Sequence, residues 1–227
     1  MRTGLIDLSG NNPDPIDFAR ARAVGVQALL HKATQGVSAG DKAAAPAAQL
    51  CVRRCAAARS AGLLVGAYHY LMVRHGRAQD ARQQAADYLA VWRAVSPDLV
   101  PMLDVETAYN TRDRHGALLP PELRATVAEC TQAVVDFVDQ VRHDTGLSPG
   151  IYTSGGEWDE MGLSPLTSLA DCPLWLAVYS SSPTYRVPAP WTSAAARQWA
   201  GDGRVDGITG PVDVSELLDR DALRVAA

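Results

Sequence analysis

Residues 100–106 read Val100-Pro101-Met102-Leu103-Asp104-Val105-Glu106, an apolar run that ends in two carboxylates two positions apart. Side chains at positions i and i+2 of a strand leave the same face, so Asp104 and Glu106 are expected side by side, with Cα atoms roughly 6.6 Å apart. Burying both is costly unless a site uses them. The pair is a candidate hydrolase acid pair, although for an isolated Asp-x-Glu we favour a strand that runs into an acidic surface turn.

Short apolar segments of this kind recur along the chain, and in its first two thirds they alternate with longer stretches of helix-forming composition. Strands are predicted at Leu5–Ser9, Ala28–Thr34, Leu64–Leu71, Leu99–Glu106, Gly150–Ser154, Leu174–Tyr179, Arg197–Ala200 and Val212–Leu217. Helices are predicted at Pro15–Val24, Lys42–Ala61, Ala78–Val95 and Pro121–Thr145. Such alternation is typical of a parallel sheet, because each helix crosses back over the sheet.

The pattern changes after Ser154, where loops rich in Gly, Pro and Ser separate the last three strands. We therefore predict an α/β fold, an incomplete TIM-like (β/α) barrel of eight strands with helices mainly after the first five. It would form a single catalytic domain over residues 1–227. An open doubly wound sheet is the alternative. We find no Gly-rich phosphate loop or dinucleotide fingerprint in the sequence, so no nucleotide cofactor is expected.

The composition argues against several classes of partner. Of the 227 residues 47% are hydrophobic and 20% are charged, an ordinary globular balance, and the net charge is −4. Because the arginines are interleaved with acidic residues rather than gathered in a stripe, nucleic acid is not expected as a partner. No apolar run approaches the ~18 residues of a membrane span, so membrane insertion is not expected either.

The four cysteines are scattered along the chain apart from Cys51 and Cys55, whose i,i+4 spacing fits one face of a helix. Reduced, buried thiols are the expected state for all four. No cluster of Cys or His supplies a second pair of ligands, so no metal site is predicted.

Functional side chains in a barrel of this type collect where the strands end. The predicted strand ends carry acidic, aromatic and amide side chains: Asp7, Tyr68, Asp104, Glu106, Tyr152, Trp175, Tyr179, Gln198, Trp199 and Asp213. Four carboxylates from three strands would meet at one mouth. His69 follows Tyr68 and so faces the opposite side of its strand, where we interpret it as a packed, hydrogen-bonded histidine. His31 and Lys32 are interpreted in the same way.

A carboxylate cluster of this kind has a defined acid–base consequence. Like charges in a partly desolvated cleft raise one another's pKa, which leaves at least one carboxyl protonated near neutrality. A protonated carboxyl can donate its proton to a glycosidic oxygen while an ionised partner stabilises positive charge on the sugar ring. The aromatic residues are candidates for stacking on sugars, although a place in the core is the plainer interpretation of any single one.

Several segments resemble, in order and spacing, the glycoside hydrolase family 25 lysozymes, also called Chalaropsis-type muramidases. The segments that carry the resemblance are Leu5-Ile6-Asp7-Leu8-Ser9, Ile16-Asp17-Phe18, Lys32-Ala33-Thr34-Gln35-Gly36, Gly66-Ala67-Tyr68-His69-Tyr70, residues 101–106, Ile151-Tyr152-Thr153-Ser154, Leu174-Trp175-Leu176-Ala177, Gln198-Trp199 and Val212-Asp213-Val214-Ser215. Any one of these matches is weak, but together they run nearly from end to end.

The resemblance implies hydrolysis of the β-1,4 bond between N-acetylmuramic acid and N-acetylglucosamine in peptidoglycan, without a cofactor. Carried over by position, Glu106 would be the proton donor. Asp104 would assist at the anomeric centre or position the substrate's acetamido group, and Asp7 and Asp213 would flank the pair. We expect net retention of the anomeric configuration. The binding residues would be Tyr68, Tyr152, Trp175, Tyr179, Gln198 and Trp199.

The sequence departs from the family pattern at several positions. Gly10-Asn11-Asn12 stands where an aromatic residue is usual, Gln35 replaces a Glu, Arg197 stands where Trp is common, and Ser215 replaces an Asn. These changes bear on which glycan strand is preferred, since all four acids remain.

Two other functions compete with a muramidase: a non-catalytic glycan-binding barrel, and a metal-dependent cell-wall amidase that would need His31, His69 and the acids as ligands. We see no signal peptide at the N-terminus. We therefore expect a monomer made in the cytoplasm that reaches the cell wall by phage-type release or by specialised secretion. For a secreted toxin, an immunity protein that plugs the cleft would be a partner.

Overall fold

The computed structural model describes residues 3–107, 111–112, 117–180, 182 and 184–225. Its strands are β1 (Leu5–Leu8), β2 (Ala28–Gln35), β3 (Leu64–Tyr70), β4 (Met102–Asp104), β5 (Gly150–Ser154), β6 (Leu174–Ala177), β7 (Ala196–Gly203) and β8 (Val212–Leu217). Its α-helices, within those residues, are α1 (Phe18–Ala23), α2 (Ala44–Ser60), α3 (Asp80–Ala94), α4 (Val127–Thr145) and α5 (Gly155–Glu160).

The strands close into a barrel in chain order, from β1 round to β8. Neighbouring strands from β1 to β7 are parallel, whereas β8 is antiparallel to both β7 and β1. A helix follows each of the first five strands, and the described part of the β6–β7 connection contains none. The predicted incomplete TIM-like barrel is therefore confirmed, and the open sheet is wrong. That the whole of 1–227 forms one catalytic domain stays a prediction.

The strand that carries the acid pair is much shorter than predicted. Only Met102–Asp104 pairs as β4, and Glu106 lies two residues beyond its end. Leu99, predicted to begin this strand, instead forms an isolated antiparallel bridge with Arg224 near the C-terminus. The apolar run is longer than β4 because its first residues pass through the lower end of the barrel before the chain enters the sheet.

The outer helices hold the site-bearing strands in place through buried polar contacts. Tyr88 of α3 donates its hydroxyl to Ala67 O of β3 at 2.7 Å and accepts from Met102 N of β4 at 2.8 Å. His69 points outward, as predicted, and is hydrogen-bonded to Thr34 Oγ1 at 2.8 Å and Gln84 Oε1 at 3.0 Å. These contacts fix β3 and β4 against α3 directly behind the mouth of the barrel.

All four cysteines are buried, as expected, and none is paired in a disulfide. In the described part of the chain, no helix has both the length and the apolar character that crossing a bilayer requires.

The barrel interior is filled with side chains rather than open. Leu5, Leu30 and Leu99 occupy its lower part, and an aromatic layer lies above them. Gly66 of β3 faces this interior, where an added Cβ would lie 2.8 Å from Leu99 Cβ and 3.0 Å from Leu30 Cδ2. Close packing at this layer therefore requires glycine at position 66.

We expect Gly66→Ala to lower the free energy of unfolding by about 1–3 kcal/mol, because the new methyl group overpacks the barrel interior. The measurement is the midpoint of urea unfolding. Gly10→Ala is the matched control, since nothing lies within 4 Å of a Cβ added at that exposed position. Equal midpoints for the Gly66 variant and the wild type would show that the interior can relax around the methyl group.

Candidate active site

A cleft of about 280 Å³ opens at the carboxyl end of the barrel. Its walls combine carboxylates, tyrosines and a few amide or amine groups. The lining residues are Asp7, Ser9, Asn11, Lys32, Tyr68, Tyr70, Asp104, Glu106, Tyr152, Trp175, Tyr179, Gln198 and Asp213. Of the ten side chains predicted at the strand ends, the structure thus brings nine to this cleft.

Barrel closure places the four carboxyl groups together. The antiparallel register of β1 and β8 sets Asp7 directly opposite Asp213. Asp104 ends β4, where its backbone pairs with Tyr70 on one side and Tyr152 on the other. Asp7 and Asp104 are both buried, so the cluster lies in a poorly solvated mouth.

Burial and mutual repulsion keep these acids from ionising in their ordinary range. Burial, followed by the charge of Asp213, raises the pKa of Asp7 well above its usual value. Burial and the charge of Glu106 do the same for Asp104, and burial also raises the pKa of Asp213. For Glu106, burial and the nearby Glu157 raise the pKa to about 7. The cluster therefore retains a proton near neutrality, as predicted.

Gln198 organises one side of the cleft. Its Oε1 accepts from the hydroxyls of Tyr152 and Tyr179, both at 2.7 Å, and its Nε2 donates to Asp7 Oδ2 at 2.9 Å. A carbonyl oxygen has two lone pairs, so this oxygen has no further acceptor capacity. Gln198 lies where predicted, but these bonds commit much of its side chain to holding Asp7 and the two tyrosines.

The aromatic residues divide into a floor and a rim. Tyr68, Tyr152 and Trp175 are buried, with the Trp175 ring 4.6 Å from that of Tyr152 and 6.4 Å from that of Tyr68, centroid to centroid. Trp175 Nε1 donates to Ser215 Oγ at 3.0 Å, which fixes the indole. Tyr179, by contrast, is 64% exposed. It offers a large free ring surface at the rim for a ligand.

Trp199 does not reach the cleft, so its predicted place there is wrong. Trp199 follows Gln198 on β7 at an irregularity where the pairing with β8 shifts register. Gln198 points into the barrel mouth, whereas Trp199 packs against the outer hydrophobic core.

The structure also adds cleft residues that the sequence did not reveal. Lys32 was interpreted as a packed residue like His31, but it lines the cleft. Its Nζ donates to Gln35 Oε1 at 3.2 Å and lies 5.0 Å from the centroid of the Tyr70 ring. The positive charge of Lys32 opposes the rise in pKa of both Asp104 and Glu106. Strand alternation with the buried His31 was the signal that could have placed it.

The loop Gly10-Asn11-Asn12, where the sequence departs from the family pattern, is held by hydrogen bonds from helix α2. Ser9 and Asn11 line the cleft, and the buried Arg54 of α2 donates to Ser9 O at 2.8 Å and to Asn12 O at 2.6 Å. This wall is therefore polar and anchored through its backbone.

His31 and His69 do not line the cleft. His31 and His69 are buried in the wall of the barrel behind the cleft, and burial lowers the pKa of each to about 4. Within the described ranges, no group of three or more His, Cys, Asp or Glu side chains is placed to hold a metal ion. The geometry required by a His-ligated amidase centre is not present in these ranges.

Comparisons with known proteins were made on sequence and on structure. The sequence profile described as "Glycosyl hydrolases family 25" matches residues 6–208. The chain is 26% identical over 204 residues to an autolytic lysozyme of Clostridium acetobutylicum, a match that covers 90% of this chain and 52% of that protein. The chain thus spans about half the length of this curated relative.

Two solved structures share the fold. The spore cortex lytic enzyme SleM of Clostridium perfringens superposes with a TM-score of 0.72 at 23% identity, covering 96% of this chain and 68% of that one. A lysozyme from Streptomyces coelicolor superposes with a TM-score of 0.70 at 21% identity, covering 96% and 93% respectively.

The raised pKa of Glu106 has a consequence for stability. Between its ordinary value of 4.5 and about 7, the folded chain holds a proton that the unfolded chain has released, so the free energy of unfolding falls as pH rises through this window. We expect Glu106→Gln, which removes this effect, to be more stable than the wild type by about 2 kcal/mol at pH 8 and equally stable at pH 4.

Urea unfolding at the two pH values measures this difference. Glu122→Gln, a change at an exposed carboxyl, serves as the control and should leave stability unchanged at both. A Glu106 variant that gains nothing at pH 8 would contradict the burial cost assigned to this carboxyl.

Proposed function

The chain belongs to glycosyl hydrolases family 25, and on that basis we propose that it is a peptidoglycan muramidase. The reaction is hydrolysis of the β-1,4 bond between N-acetylmuramic acid and N-acetylglucosamine. The observation that carries the proposal is a carboxyl with a pKa of about 7, Glu106, beside the buried Asp104 in a cleft with an aromatic floor.

Glu106 is the proton donor in this proposal. Its protonated carboxyl transfers the proton to the glycosidic oxygen as the bond from that oxygen to the anomeric carbon breaks. The departing sugar then leaves with a neutral hydroxyl. Water adds to the anomeric carbon and returns a proton to the Glu106 carboxylate, which restores the starting state.

Asp104 supports the positive charge that develops on the sugar ring. Its ionised carboxylate either bonds to the anomeric carbon itself or orients the acetamido group of the substrate so that the acetamido oxygen forms that bond. The incoming water then breaks this bond by displacing the oxygen, and the two inversions give net retention. Asp7 and Asp213 flank the pair, and the members of the cluster that are ionised supply negative potential around the cationic transition state.

The aromatic residues and Gln198 form the binding surface. Tyr179, exposed at the rim, is suited to stack on a sugar face. Tyr68, Tyr152 and Trp175 form the floor, and Gln198 keeps Tyr152 and Tyr179 in position through its Oε1. Trp199 packs against the outer hydrophobic core, so it is left out of this proposed binding surface.

A glycan-binding barrel without catalysis is the less favoured alternative. A decayed enzyme is free to lose its acids, whereas Asp7, Asp104, Glu106 and Asp213 all lie at the cleft. Action on the cell wall is supported by the relative named as an autolytic lysozyme. We propose phage-type release or specialised secretion as its route there, an immunity protein as a partner in the second case, and a monomer as the active form.

We expect Glu106→Gln to lower kcat/KM on purified peptidoglycan by a factor of about 10²–10⁴, because a glutamine cannot donate the proton. Loss of turbidity measures the rate, and mass analysis of the products should show glycan fragments ending in N-acetylmuramic acid. Glu122→Gln is the matched control. Full lysis by the Glu106 variant would refute the assignment of the donor, and release of peptides from intact glycan would refute the muramidase.

The pH dependence of the wild type tests the state of the donor. Since Glu106 must be protonated and its pKa is about 7, we expect kcat/KM to fall about tenfold per pH unit well above that value. Rates on soluble glycan oligomers at constant ionic strength give the profile. Activity that stays flat to pH 9 would mean that another group donates the proton.

A further inference from the structure

Glu157 makes an unusual set of contacts just behind the proton donor. It is the third residue of α5 and is half-buried. Its Oε1 accepts from Thr107 N at 3.2 Å and from Thr107 Oγ1 at 3.1 Å. Its Oε2 accepts from Ser154 Oγ at 2.9 Å, and that same oxygen of Ser154 accepts from Glu157 N at 3.2 Å. One carboxylate therefore joins the segment after β4 to the junction of β5 and α5.

This link bears directly on Glu106. β4 ends at Asp104, so Glu106 lies on irregular backbone rather than within the hydrogen-bonded sheet. On its N-terminal side, Val105 N donates to Tyr152 O at 2.9 Å. On its C-terminal side, Thr107 is held by Glu157 through both its amide and its hydroxyl. The donor is thus fastened on either side by strand β5 and by the start of α5.

The charge of Glu157 acts on the same carboxyl. The charged groups that influence Glu106 are Asp104 from β4, Asp213 from β8, Glu157 from α5 and Lys32 from β2. Asp7 of β1, Tyr152 and Tyr179 are the further titratable groups of the cleft that sense its charge. After burial, the charge of Glu157 contributes most to the raised pKa of Glu106, whereas Lys32 and the hydrogen bond with Asp104 oppose it. Glu157 does not itself line the cleft as the structure describes it.

We propose that Glu157 is a positioning residue for the proton donor, with two separable roles. Its carboxylate anchors Thr107 and so fixes the backbone that carries Glu106, and its negative charge helps Glu106 to keep its proton at neutral pH. The inference rests on the proposed function for its kinetic test, but it also makes a statement about the acid–base behaviour of Glu106 that needs no substrate.

Two substitutions separate the roles. Glu157→Gln keeps an oxygen that accepts from Thr107 but removes the charge, so we expect the alkaline limb of the kcat/KM profile to move to lower pH by about 0.5–1 unit. At pH 5, the rate should stay within about twofold of the wild type. Thr107→Val keeps the charge but removes one of the two donors, so we expect a lower kcat, by roughly three- to tenfold, with the alkaline limb unmoved.

Glu160→Gln is the matched control, because it removes the same charge from an exposed position on the same helix. We expect its profile to coincide with that of the wild type. An equal shift in the Glu157 and Glu160 variants would overturn the proposal in favour of a general charge effect, and an unmoved alkaline limb in Glu157→Gln would overturn the electrostatic role. A Thr107 variant with unchanged kcat would overturn the anchoring role.

Titration of the Glu106 carboxyl by ¹³C NMR in the wild type and in Glu157→Gln provides the second measurement. We expect the midpoint to be lower in the variant by the same amount as the kinetic limb. If the wild type fails to cleave peptidoglycan, the proposed function falls while this titration still decides the inference. If Glu157→Gln fails to fold, Thr107→Val and the shorter, charge-preserving Glu157→Asp test the anchor, and an unchanged kcat in both would overturn it.

Discussion

The antiparallel pairing of β8 with β1 is the constraint on which the rest of the molecule depends. It closes the barrel and sets Asp213 from the end of the chain opposite Asp7 from its beginning. Strand β4 and the segment that follows it supply the remaining acids between them. The carboxylate cluster therefore exists only when the whole barrel has formed. The repulsion within the cluster is a free-energy cost that the interior packing and the outer helices must offset.

The mouth of the barrel contains the four carboxyl groups, whose burial and mutual repulsion destabilise the fold, together with the contacts that hold them in place. Gln198 joins Asp7 to two tyrosines, Glu157 joins the segment after β4 to α5, and Arg54 holds the polar loop at the altered wall. Each of these side chains comes from a different element. Partners distributed around the barrel thus hold the acids in a shared, poorly solvated space. Strain at a functional site is commonly offset in this way by the structure around it.

Much of this arrangement could be predicted from the sequence, because apolar runs mark strands and strand ends mark a barrel's site. The predictions fail where side-chain direction within a strand decides the outcome. Gln198 and Trp199 are neighbours, as are His31 and Lys32, and only one residue of each pair lines the cleft. Glu157 escaped notice for another reason: its partner Thr107 is 50 residues away, and no local pattern links a helix residue to a loop after a distant strand. The boundaries of β4 depend on pairing with its neighbours, which a linear pattern does not contain.

The burial of the four cysteines has a consequence for their reactivity. Burial raises the pKa of Cys130 to about 11 and that of Cys172 to about 12, so the reactive thiolate is scarce at these two positions. A thiol reagent in solution therefore reaches them only when the surrounding structure opens, and the rate of their modification reports how often that local opening occurs.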